Sequence, residues 1–199
     1  MDTCFSMLSP DIAYLYLGTM KSAYLPEIFQ KVKNTKGLII DLRCYPSDFV
    51  VFSLGQYLLP EETPFVKFSV GSITSPGLFR MGDPLKVGKK NKDYYKGKVI
   101  ILVNAYTQSQ AEYTTMAFRA APRATVIGST MAGADGNVSG FSLPGGIRTS
   151  ISGIGVYYPN GDQTQRVGII PDVVVKPTIA GIKSGKDEVL EKAIELIDK

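Results

Sequence analysis

The stretch Val99–Glu112, "VIILVNAYTQSQAE", decides how the rest of the chain is read. Val99 to Val103 form a short, unbroken apolar run, the pattern of a strand buried on both faces in a parallel sheet. The polar turn "NAYTQ" follows, and "SQAEYTTMAFRAA" then reads as a helix with Ser109 at its entrance. Ser109 and Glu112 match a capping box, in which hydroxyl and carboxylate satisfy reciprocal backbone N–H groups. Local pattern favours that plain role. Placement supports a second one, because α/β sheets keep their sites at the carboxyl ends of the strands. A helix start below the hydroxyl adds unpaired N–H groups and positive potential, which stabilise a developing oxyanion.

Working outward, "IAYLYLG" (residues 12–18) reads as a strand. "LPEIFQKVKN" reads as a helix, with Leu25, Ile28, Phe29 and Val32 on one face and Pro26 suited to the first turn. "GLIIDLR" (37–43) is a second buried strand, "FVVFSLGQYLL" (49–59) a helix and "TPFVKFSV" (63–70) a strand, while Gly71 to Lys98 reads as irregular. "RATVIGS" (123–129) returns to strand. The alternation predicts an α/β domain with a largely parallel central sheet. The C-terminal third, from Gly145 to Val175, is rich in β-formers, with "PNGD" as a hairpin turn. "SGKDEVLEKAIELIDK" closes the chain as a helix with Val189, Leu190, Ala193, Ile194 and Ile197 on one face. With no repeat or linker, residues 1–199 read as one domain.

Composition narrows the function. At 199 residues, 44% hydrophobic and 20% charged, the chain has the balance of a globular domain with a real core. No apolar run reaches bilayer length, so membrane insertion is not expected. "MDTCFSMLSPD" lacks the basic-then-apolar pattern of a signal peptide, and by that reading the chain stays where it is made. The net charge is +4, but its densest patch, Lys86 to Lys98, has no period that would form a binding face. It reads as a solvated loop, and no nucleic-acid partner is expected. Cys4 and Cys44, in a chain without histidine, make no metal-ligand set, and nothing in their spacing calls for a disulfide. "GSTMAGADGNVSG" lacks the lysine of a nucleotide loop, so no cofactor is expected and Asp135 reads as a turn residue. In "DLRCYPSD", Pro46-Ser47-Asp48 reads as a turn and helix cap; Ser47 offers an N–H toward the carboxyl edge, which Pro46 does not have.

These segments, in this order, resemble the core of the tail-specific, or C-terminal-processing, serine peptidases. "IAYLYLG" is similar to the family's opening core strand and "GLIIDLRCYP" to its strand and turn. "VIILVNAYTQSQAEY" is similar to its nucleophile segment, "ATVIGSTMAGADG" to the strand and glycine loop after it, and "YYPNGDQTQRVGIIPDVVV" to its closing hairpin. The resemblance implies a ClpP/crotonase-like ββα-superhelix core with a β-rich C-terminal third and a C-terminal helix. It implies Ser109 as an acyl-forming nucleophile, with the N–H of Gln110 and an N–H around Ser47 as oxyanion donors.

The resemblance also implies what this chain lacks. The Ser–Lys branch carries its lysine at the position of Ala134, and no lysine lies between Lys98 and Lys176. The chain is closer to the Ser–His branch, similar to the tricorn core, whose histidine comes from an upstream segment. Gln165 stands where that branch often has a glutamate. The general base is therefore expected to be missing from these residues and the isolated chain to be inactive. The family's N-terminal cap and PDZ-type domain are expected to be absent. A peptide or protein substrate is implied, bound by strand addition, and the full-length protein is expected in the bacterial cell envelope or periplasm. Two rivals stand beside this reading. One is a non-catalytic peptide- or ligand-binding domain on the same fold. The other is a crotonase-like acyl-CoA enzyme, for which no carboxylate is convincingly placed.

Overall fold

The computed structural model describes residues 3–199, so Met1 and Asp2, part of the N-terminal stretch read above, lie outside it. The chain opens with β1 (Phe5–Ser9), β2 (Ile12–Tyr16), α1 (Leu25–Val32), β3 (Gly37–Asp41) and α2 (Val51–Leu58). An outlying group follows: β4 (Thr63–Gly71), β5 (Phe79–Met81) and β6 (Leu85–Val87). Then come β7 (Lys98–Val103), α3 (Gln110–Arg119) and β8 (Ala124–Gly128). The last third holds β9 (Val138–Ser142), β10 (Arg148–Ser152), β11 (Val156–Tyr157), β12 (Val173–Val174), α4 (Ile179–Lys183) and α5 (Glu188–Asp198).

The main sheet runs β1-β2-β3-β7-β8-β12, with β1 antiparallel to β2 and all other neighbours parallel. This is the mixed α/β architecture expected from the alternation. β3 and β7 sit at its centre in register, Leu38 opposite Val99 and Ile40 opposite Ile101. Their alternate side chains serve two cores. Leu38, Ile40, Val99, Ile101 and Val103 pack with residues of α1, α2 and α3; Ile39, Ile100 and Leu102 pack under Val189, Ala193 and Ile197 of α5. Each such side chain contributes about 1.5–3 kcal/mol on burial. Double-sided burial explains why these strands read as unbroken apolar runs.

Two regions depart from the sequence reading. The segment read as irregular contains β5 and β6, both antiparallel to β4. Each is three residues long and mostly exposed, too short to leave a periodic trace. The β-rich C-terminal third divides among three partners: β9 and β10 form an exposed hairpin, β11 joins β4, and β12 enters the main sheet beside β8. The "PNGD" turn is closed by Tyr158 N–H donating to Asp162 O at 2.8 Å. In the Lys86–Lys98 patch, Tyr95 is buried against Phe29, its hydroxyl 2.8 Å from that of Thr35. That ring belongs to the core.

A polar clasp ties α5 to the sheet. Asp41, buried at the end of β3, accepts from Tyr14 Oη at 2.7 Å and from Arg43 Nη2 at 2.6 Å. Arg43 also donates both terminal nitrogens to Asp187, each at 2.8 Å, while Asp187 Oδ1 caps α5 by accepting from Leu190 N–H. Replacing Arg43 by Met strands the Asp41 charge, and a loss of about 3 kcal/mol is expected in urea denaturation. Asp187→Asn keeps the cap and removes only a part-exposed charge, so its expected loss is under about 1 kcal/mol.

Candidate active site

The site is built where β7 gives way to α3. Thr107, fully buried, donates its hydroxyl to Leu42 O at 2.8 Å, and its own carbonyl accepts from Ala132 N–H at 3.1 Å. The turn is thereby pinned to the end of β3 and to the loop after β8. At Ser109 the backbone reaches φ 52° and ψ −119°. Ser109 and Arg166 are the non-glycine residues with positive φ among the described residues. Such a conformation costs of order 1–3 kcal/mol and persists only where surrounding contacts enforce it.

Glu112 supplies those contacts. Its buried carboxylate accepts from Ser109 N–H at 3.2 Å, Gly133 N–H at 2.8 Å and Ala134 N–H at 2.8 Å. The carboxylate half of the capping box is therefore present and also holds the glycine loop. The hydroxyl half is loose: Ser109 Oγ lies toward the Glu112 N–H but makes no capping hydrogen bond of ordinary geometry. Burial raises the Glu112 pKa against the opposing pull of the three N–H groups. Gly133 is required where it stands, since its φ is +65° and a Cβ there would meet backbone atoms of Arg166 and Gly168 at 3.0 Å.

Ser109 is half-buried and borders a cleft of about 330 Å³. Aromatic rings form its walls: Tyr45 from the turn after β3, Phe49 before α2, Phe68 from β4 and Tyr113 from α3. Tyr113 stacks on Phe49 and on Phe68, with ring centres 6.0 Å apart in both pairs. Asp135, Gly136 and Asn137 line it as well. Gln110 also borders the cleft, and as the first residue of α3 its backbone N–H has no partner within the helix. Its side chain donates to Asp48 O at 3.0 Å, joining the helix start to the turn after β3.

Ser47 does not reach the cleft as the sequence reading expected. Its N–H donates to Leu17 O at 3.0 Å and its hydroxyl to Met20 O at 2.6 Å, so the amide is already used inside the fold. The residue of that turn bordering the cleft is Tyr45. Gln165 is spent on structure too: Nε2 donates to Asp135 O at 2.8 Å and Ile154 O at 2.9 Å, and Oε1 accepts from Val156 N–H. Among the described residues, no group of His, Cys, Asp or Glu is arranged to hold a metal ion.

Asp135 is the residue that sequence reasoning passed over. It reads as a turn residue in a glycine loop, yet it is only 7% exposed and lines the same cleft as Ser109. Its Oδ1 accepts from Gly136 N–H at 2.7 Å, while Oδ2 has no hydrogen-bond partner. Burial pushes its pKa up to about 7, with the Gly136 N–H opposing and the Glu112 charge adding. The one sequence signal was position, a carboxylate just past β8 and so at the same sheet edge as Ser109. The aromatic walls, from three separate segments, left no periodic signal.

Residues 61–175 match the family model described as Peptidase family S41. No curated protein sequence matches the chain. Among solved structures, the fold is similar to that of a candidate peptidase from Parabacteroides merdae, with TM-score 0.86 and 24% identity over 97% of this chain and 63% of that one. It is similar to mature CPAF complexed with lactacystin, with TM-score 0.74 and 15% identity over 94% of this chain and 51% of that one. A third likeness is to the photosystem II D1 C-terminal processing protease, with TM-score 0.65 and 17% identity over 94% and 47% of the two chains. The chain thus spans between about half and just under two thirds of these three structures.

Two outcomes follow from the carboxylates. Glu112→Gln replaces an acceptor-only group by one that points N–H donors at backbone N–H groups, and a loss of about 2–4 kcal/mol is expected in urea denaturation. For Asp135, the folded carboxyl keeps its proton to about 7, against an ordinary value of 3.8. Between those values the folded state binds more protons than the unfolded one, so this group's contribution falls as pH rises from about 4 to about 7, then levels off. Asp135→Asn lacks that loss. Melting curves across the window are expected to move in favour of the variant as pH rises.

Proposed function

Because the chain belongs to peptidase family S41, we propose that Ser109 is the nucleophile of a serine endopeptidase core that cleaves peptide bonds through an acyl-enzyme. The observation that carries this reading is the strained backbone at Ser109, which lines a cleft beside a helix start. Strain of this kind is retained where a side chain must be presented in one orientation. In the reaction, Ser109 Oγ attacks the substrate carbonyl and the Gln110 N–H donates to the oxyanion as charge develops. The serine proton passes to a base and then to the departing amine, and water releases the acyl group by the reverse sequence.

The base is contributed from outside these residues. The chain holds no histidine, and no lysine lines the cleft among the described residues. The core is accordingly proposed to work within a longer protein acting on peptide or protein substrates in the bacterial envelope. No helix of the described residues is long and apolar enough to cross a membrane. A second reading, a non-catalytic binding domain on the same fold, draws its support from Gln165, whose amide is wholly engaged in backbone contacts.

A fluorophosphonate probe separates the two. This chain and a longer form carrying an upstream segment are labelled beside their Ser109→Ala variants, and the adduct is located by mass spectrometry. Labelling at Ser109 in the longer form, with little or none in the isolated chain, is the expected result. Absence of labelling in both favours the binding domain.

A further inference from the structure

The cleft beside Ser109 is apolar on its walls and acidic at one point. Tyr45 and Phe49 leave half or more of their surface open, at 56% and 52% exposure, so their rings are available to an incoming group. Asp135 is the only carboxylate lining the cleft among the described residues, and no lysine or arginine lines it to balance the charge. A buried carboxylate oxygen without a donor is costly, and native structures leave few such atoms unexplained. Oδ2 of Asp135 is such an atom.

We propose that this cleft is a subsite for a basic side chain of the peptide substrate, with its apolar stem between the aromatic rings and its cationic head on Asp135. The proposal rests on the peptidase reading above and names the substrate class for it. Aromatic faces attract cations through their quadrupole, and the attraction strengthens where water is excluded. Lysine and arginine pair a long apolar stem with a charged end, which matches a cleft lined by aromatic rings and a single acid. A cleft of about 330 Å³ suits a single side chain or small ligand. The chain's net charge of +4 opposes general attraction of cations, so any preference for one must arise locally.

The pH dependence follows from the groups around Asp135. Glu112 and Tyr113 face it from α3, and neutral Gln165 holds its carbonyl from the segment after β11. Burial, with the Glu112 charge adding to it, pushes the carboxyl pKa up to about 7 in the empty site. A bound cation favours the ionised form, so affinity for a basic side chain rises through neutrality and is low in mild acid.

Binding to the Ser109→Ala chain tests this without relying on turnover. The probes are acetylated, amidated Ala-Ala-X-Ala-Ala peptides with X as lysine, norleucine or glutamate, titrated by calorimetry. At about pH 8 the lysine peptide is expected to bind roughly tenfold more tightly than its norleucine isostere, and glutamate weakest. At about pH 5.5 the lysine preference is expected to shrink to roughly twofold or less. Adding Asp135→Asn is expected to abolish the preference at about pH 8, and the pH series on the unaltered Asp135 serves if that variant does not fold. Equal binding of lysine and norleucine at about pH 8, or a preference that survives Asp135→Asn, overturns the subsite and leaves the peptidase reading standing. Binding of none of the peptides overturns the subsite, and absence of Ser109 labelling in the longer form then removes the reading beneath it.

Discussion

One carboxylate holds the candidate site together. Glu112 gathers three backbone N–H groups, one from the serine turn and two from the glycine loop after β8, into a single buried acceptor. Hydrogen bonds to a charged acceptor are worth about 1.5–3 kcal/mol each. That is enough to offset the strain of about 1–3 kcal/mol stored at Ser109. Thr107 and Gln165 hold the same turn and loop from their far ends, and Glu112 joins the two directly at Ser109. The cleft, its acid and its hydroxyl all depend on this contact.

The contact also reconciles two readings of one motif. Ser109 and Glu112 form a capping box by sequence, and a capping box is a common, functionally silent device. Here the glutamate does more than cap, because it faces a loop brought in from the next strand. The serine does less, because its hydroxyl lies toward the Glu112 N–H without a capping hydrogen bond of ordinary geometry. A helix start whose first amide, that of Gln110, has no partner within the helix is an arrangement suited to chemistry. Gln165 completes the frame by fixing the Asp135 carbonyl to the strand at Ile154 and Val156. Gln165 is thus a structural amide, and the acid that lines the cleft comes from the glycine loop.

The architecture was largely legible before the structure. The unbroken runs at 37–41 and 99–103 announced strands buried on both sides, and the helical spacing of Leu25, Ile28, Phe29 and Val32 announced α1. Both signals are local, since a residue's neighbours in sequence suffice to set its period. Ser109 was legible for the same reason, as a polar residue at a strand-to-helix junction. The short strands β5 and β6 were not, because three exposed residues acquire their partner only when β4 is already in place.

The sequence by itself thus determined the order of the central strands and their helices, the two-faced core and the residue at the head of α3, because periodicity and turn chemistry are properties of adjacent residues. Only the tertiary structure decided that the Ser47 amide would be consumed by Leu17. Only it decided that Tyr45, Phe49, Phe68 and Tyr113 would meet in one wall, and that Asp135 would be buried there with an oxygen unpaired. Those outcomes depend on distances between segments far apart in the chain. Burial and desolvation are set by what finally surrounds a group, which no local pattern contains.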